Sequence, residues 1–138
     1  MHVQLGRCGE SAAFGTADGV ASAASGAAIQ PLIGKIDMPV KHIVMWDVRG
    51  DTPKEKGEAI QFVRQRFESL RGQIPGLLHL ELGVDVSLVD YACDVVLYTE
   101  FDSQESLQSY ARHPAHLRVR EEVGSLRIAR HQVDYFVP

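Results

Sequence analysis

Two short apolar runs, Ile43-Val44-Met45-Trp46 and Val95-Val96-Leu97-Tyr98, constrain this chain more than any other feature. Both are too short for a buried helix and rich in strand-forming side chains, so both read as β-strands. Side chains on a strand point alternately to opposite faces. Neither run alternates apolar with polar, so both faces of the sheet holding them must be covered. Whatever packs around these strands has to supply two apolar surfaces.

The segments between them supply one. Thr52-Pro53-Lys54-Glu55 combines an N-cap, a proline at the first helical position and a glutamate three residues after the cap, which starts a helix. Ile60, Val63, Phe67, Leu70 and Ile74 follow at spacings of three or four and give it an apolar stripe. Leu78 to Val86 then alternates apolar with polar, as a half-buried strand does. Asp102 and Ser103 cap a second helix with Leu107, Tyr110 and Ala111 on its inner side, and Pro114 breaks it. A further turn or two runs to Gly124, and Leu126 to Val137 forms the last strand. The order β-α-β-β-α-β predicts an α+β, ferredoxin-like fold, with helices on one face of a four-stranded antiparallel sheet. A second copy meeting the free face would close a dimeric α+β barrel with twofold symmetry, so a homodimer is expected.

Residues 1–37 differ in kind: 8 Ala, 6 Gly and 3 Ser stand among them, with Phe14 as the one aromatic. Such a segment buries too little area to offset its ordering entropy. It reads as a flexible extension ahead of a domain over 38–138, with Met38 a natural starting point. Its apolar stretch is Ala and Gly interrupted by Asp18, unlike a signal peptide. No stretch approaches the ~20 apolar residues of a membrane span, so no membrane partner is expected. The formal charge is −4 without a basic cluster, which disfavours nucleic acid. Cys8 and Cys93 are too few for a disulfide framework and form no zinc-type pair. A cytoplasmic setting is the simplest expectation, with Cys93 as a small buried hydrophobe.

Three stretches carry a resemblance: Val40-Lys41-His42-Ile43-Val44, Glu100-Phe101-Asp102-Ser103, and Leu107-Gln108-Ser109-Tyr110-Ala111-Arg112-His113-Pro114-Ala115-His116. Together, and with Asp134-Tyr135 near the end, they resemble the stress-responsive A/B barrel family of dimeric α/β-barrel proteins. The similarity runs over about residues 38–138. The resemblance implies the dimeric barrel and no cofactor. Relatives include plant stress proteins and a plant polyketide cyclase that performs a cofactor-free aldol condensation. In that cyclase the positions matching His116 and Tyr110 supply the base and its partner. The cyclase also has a pocket histidine on its third strand, where Val95 or a neighbour stands here, so a different substrate or reaction is implied.

The residue types suit that chemistry. His116 falls in the first turn after Pro114, where the positive end of the helix dipole favours a neutral imidazole, the form a general base needs. Tyr110 carries a phenol able to donate to a substrate carbonyl as negative charge develops there. The resemblance places Asp134 behind the His116 ring as the acceptor that orients it. His42, Val44 and Trp46 alternate on one strand face and are candidate ligand-binding residues, lining a pocket on one side or core on the other. A mainly apolar cavity between sheet and helices, holding a small apolar or aromatic ligand, is expected. Blander roles compete: Tyr110 lies on an apolar stripe, His116 could satisfy a backbone carbonyl, and His113 suits a cap beside Pro114. His113 and His116 have no third ligand arranged nearby, so no metal is expected. Three classes stay open: a cofactor-independent cyclase, lyase or isomerase acting on a carbonyl compound, a non-catalytic small-molecule-binding module, and a structural stress-response dimer.

Overall fold

The computed structural model describes residues 38–138, and the extension expected over 1–37 lies outside them. Strand β1 (Val40–Val48) leads into helix α1 (Pro53–Glu68), then β2 (Leu77–Val84) and β3 (Val95–Phe101). Helices α2 (Gln104–Arg112) and α3 (Pro114–Val123) follow, a 3-10 turn spans Gly124–Leu126, and β4 (Arg127–Phe136) closes the domain. The sheet order is β2-β3-β1-β4, antiparallel throughout. This is the ferredoxin-like arrangement expected, with the two most apolar strands at its centre.

Local chemistry sets the helix ends. Thr52 Oγ1 accepts from the Glu55 amide at 3.1 Å, and the Glu55 carboxylate accepts from the Asp51 amide at 3.1 Å, satisfying two exposed donors at the start of α1. The helix ends earlier than its apolar stripe. Beyond Glu68 the bonds tighten to Leu70 N–H to Phe67 O and Arg71 N–H to Glu68 O, and Gly72 takes a φ of 79°. Leu70 and Ile74 are still buried, on this turn rather than on the helix. The Ile74-Pro75-Gly76 turn needs its glycine: Gly76 has a φ of 81°, and an added Cβ would lie 2.5 Å from Ser106 Cβ at the start of α2.

His113 serves both neighbouring helices. Its backbone N–H bonds Tyr110 O at the end of α2, and its ring Nδ1 accepts from the Ala115 amide at 3.0 Å at the start of α3. The capping role is therefore the one it fills, and α3 runs ten residues, longer than the turn or two expected.

All three helices cover one face. Val40, Val44, Trp46 and Val48 of β1 point toward them and are buried, together with Phe67, Leu97, Phe101 and Val119. On the opposite face Met45 is 37% exposed and Val133 49% exposed, with Ile43 and Val96 half-buried beside them. There Lys41 Nζ sits 5.7 and 5.9 Å from the Tyr98 and Tyr135 ring centroids. Cys93, expected to be buried, is half-buried in the loop before β3.

The pairing of β1 with β4 contains one irregularity. Met45 opposes His131 and Asp47 opposes Ile128, so two residues of β4, Ala129 and Arg130, face the single Trp46. This is a β-bulge. Ala129 has a φ of 60°, a left-handed backbone that costs a residue with a Cβ roughly 1 kcal/mol.

Candidate functional site

The bulged edge, β1 and the α2–α3 break surround a cavity of about 460 Å³. Its sheet wall comes from His42, Val44, Trp46 and Leu97, and its helix wall from Leu107, Tyr110, Ala111 and His116. Arg127, Arg130, Gln132 and Asp134 of β4 and Arg120 of α3 complete it. The six site residues named from sequence, Tyr110, His116, Asp134, His42, Val44 and Trp46, all line this one space. The sheet face they share is the helix-facing one, and the alternatives of pocket or core do not separate: Val44 and Trp46 are buried and also form a wall. A cavity lining this rich in guanidinium and amide groups is not mainly apolar, which corrects the sequence expectation.

Tyr110 projects inward from α2 and is 3% exposed. Its hydroxyl is buried and has no hydrogen-bond partner among the described residues. A buried phenol normally finds one, because leaving it unmade costs about 1–3 kcal/mol. Core packing with a satisfied hydroxyl therefore does not describe this residue. Burial alone pushes its ionisation well above the usual phenol range, against a smaller opposing pull from Arg127, Arg130 and Arg120. At neutral pH it is a donor.

His116 stacks at a tilt on Tyr110, with ring centroids 4.1 Å apart. Its Nδ1–H donates to the Ala111 carbonyl at 3.4 Å. A carbonyl only accepts, so Nε2 keeps the lone pair of the neutral ring. Burial, with help from the charges of Arg120 and Arg127, lowers its pKa to about 4, against the Ala111 bond, which raises it. The imidazole is neutral as expected, but desolvation and nearby guanidinium groups account for it rather than the helix dipole.

Asp134 does not orient His116. Its Oδ1 accepts from His42 Nδ1–H at 2.6 Å, and its Oδ2 accepts from Gln132 Nε2 at 2.9 Å. The reason is strand register: His42 and Asp134 are directly opposed in the β1–β4 ladder, where side chains of a facing pair sit close enough to bond. The carboxylate fixes the His42 tautomer and leaves Nε2 as its free acceptor. Thr99 Oγ1 bonds the His42 carbonyl at 2.7 Å, and the His42 ring meets Tyr110 edge-on with centroids 6.2 Å apart. Two imidazoles thus flank one phenol.

The arginines at the cavity were missed in sequence. Arg120 stands among Arg118, Glu121 and Glu122, a charge pattern that by itself marks a solvated helix face, and strand residues three apart, like Arg127 and Arg130, normally face opposite ways. Of the third-strand positions at or near Val95, Val95 itself is buried outside the cavity lining and Leu97 is part of it. Among the described residues no group of three or more His, Cys, Asp or Glu is placed to hold a metal ion. No described helix is long and apolar enough to cross a membrane.

Comparison with known proteins gives one family model, described as the stress responsive A/B barrel domain, matching residues 40–137. No curated protein matches the chain. Among solved structures, a dimeric protein of unknown function with a ferredoxin-like fold from Bacteroides fragilis is similar at 29% identity and a TM-score of 0.64, covering 72% of this chain and 96% of its own. A hydroxynitrile lyase from Passiflora edulis is similar at 15% identity and a TM-score of 0.62, over 74% of this chain and 95% of its own. A member of the same family with a ferredoxin-like fold from Mesorhizobium loti is similar at 18% identity and a TM-score of 0.55, over 73% and 97%.

Proposed function

The chain belongs to the stress responsive A/B barrel domain family, and from that premise we propose that it is a homodimeric acid/base catalyst acting on a small carbonyl compound with its own side chains. The observation that carries this reading is the Tyr110 hydroxyl, buried at the cavity without a partner. A buried donor left unpaired costs stability, and a substrate carbonyl oxygen in the cavity would supply its missing acceptor.

The chemistry then follows from the neighbours. The substrate carbonyl oxygen accepts from Tyr110. His42 Nε2 takes a proton from the carbon beside the carbonyl, and the C–H electron pair moves into the carbonyl group as an enolate. Tyr110 holds the oxygen that gains the charge, and Asp134 stabilises the imidazolium through the 2.6 Å bond at Nδ1. Neutral His116 packs against the Tyr110 ring and aligns it. In this reading Asp134 orients His42, not His116. The fold is no obstacle to catalysis, since a hydroxynitrile lyase shares it.

The dimer is supported by the open sheet face, where apolar side chains are left uncovered by the described residues, and by the dimeric relative from Bacteroides fragilis. The test of catalysis is deuterium exchange at the α-carbon of acetophenone in D2O, followed by NMR. Wild type exchanges faster than buffer, Tyr110→Phe loses about a hundredfold without loss of thermal stability, and His42→Gln removes the activity. Exchange at the buffer rate by wild type would overturn the catalytic reading in favour of a non-catalytic binding module.

A further inference from the structure

We propose that Arg120, Arg127 and Arg130 form an anion subsite at the β4 side of the cavity, and that its ligand is an organic carboxylate with an apolar or aromatic body. This deepens the reading of the cavity as a carbonyl site, on which it rests, by naming the substrate class.

The charge balance of the cavity is the first observation. The chain as a whole carries −4, yet the lining has three arginines and a single carboxylate, Asp134. That carboxylate is already taken by His42 and Gln132. None of the three arginines makes an ion pair among the described residues. Arg127 and Arg130 have their pKa values lowered, chiefly by burial and next by the charge of Arg120. Asp134 pulls the other way at Arg130, but three like charges crowded and partly desolvated beside one carboxylate are still costly, and a bound anion relieves that cost.

The second observation is how Arg127 is held. Its guanidinium lies 5.1 Å from the Trp46 ring centroid and 5.7 Å from that of Phe67. Those two rings are themselves stacked at 5.3 Å. Arg127 Nε is buried and has no hydrogen-bond partner among the described residues. A flat donor group fixed on an aromatic face, with a donor unused, suits a planar carboxylate.

Backbone strain is the third. Residues 127 and 130 are three apart, and in a regular strand one would face the open side of the sheet. The bulge at Ala129 and Arg130, with its left-handed alanine, resets the alternation so that Arg127, Arg130, Gln132 and Asp134 all line the cavity. Bulges next to functional sites re-aim side chains in this way. The remaining walls at Val44, Leu97 and Leu107 are apolar. An inorganic anion would leave them uncovered, so the ligand has a carbon body.

The test is calorimetric titration of the full chain with benzoate, its neutral isostere benzamide, and inorganic phosphate. Benzoate binds, and benzamide binds about tenfold more weakly or less, since it lacks the charge that strengthens the arginine bonds. Arg127→Gln weakens benzoate about tenfold and leaves benzamide unchanged. Arg120→Gln, at an exposed helix position, shows the same selectivity with a smaller loss and covers the case in which the Arg127 variant fails to fold. Added salt weakens benzoate alone. Absence of benzoate binding, equal affinity for benzoate and benzamide, or phosphate binding as tightly as benzoate would each overturn the proposal. The titration involves no turnover, so its outcome is separate from the exchange experiment. Benzoate selectivity without α-proton exchange keeps the subsite and removes the catalyst, and exchange without selectivity does the reverse.

Discussion

The two faces of the sheet have their chemistry exchanged. The face covered by helices, where a core is wanted, carries His42, Asp134, Gln132 and two arginines around a cavity. The open face, where water is available, carries Ile43, Met45, Val96 and Val133. Polar groups beneath helices are costly unless something occupies the space beside them, and apolar groups in water are costly unless something covers them. The contrast teaches where the two proposed partners would act: a ligand inward, beside the polar groups, and a second copy outward, over the apolar ones.

The contrast is broken hardest by a charge on the covered face. Val44 is 1% exposed beneath the helices, and Val44→Asp buries a carboxylate among apolar neighbours at a cost of several kcal/mol. Loss of the cooperative thermal transition is expected. The same change on the open face acts differently. Met45→Asp leaves the protomer folded and halves the mass found by light scattering at micromolar concentration. Were Met45→Asp to unfold the chain while Val44→Asp merely dissociated it, the assignment of the two faces would be reversed.

A third test uses protons. His116 has a folded pKa of about 4 against an ordinary value of 6.5, so the unfolded chain binds the extra proton first as pH falls. Stability from the neutral ring is complete above about 6.5 and is lost progressively toward about 4. Arg120, Arg127 and His42 face the ring and reinforce this. Denaturant midpoints should drop through that window, and His116→Gln should flatten the drop. The smallest effect sharpens the account of the bulge. Ala129→Gly removes the left-handed strain and should raise stability by about 1 kcal/mol, with benzoate affinity unchanged.

The chain's residues alone make the elements legible because their signals are local. Thr52-Pro53-Lys54-Glu55 is a helix start wherever it occurs, and the two-sided apolar strands require two covers whatever those covers are. The element order follows, and so does the closeness of Tyr110 and His116, six residues apart across a proline break. What only the tertiary structure decided is pairing at a distance. Ninety-two residues separate His42 from Asp134, and the strand register alone makes them partners. The end of α1 before Leu70 depended on the turn that Gly72 permits, and the location of Val44 on which helices crossed which face. The arginines were hidden for a sharper reason. Period-two alternation assigns Arg127 and Arg130 to opposite faces, and one extra residue in β4, held in a backbone that alanine disfavours, overrides it. A bulge depends on pairing with β1, and pairing exists only once the sheet has formed.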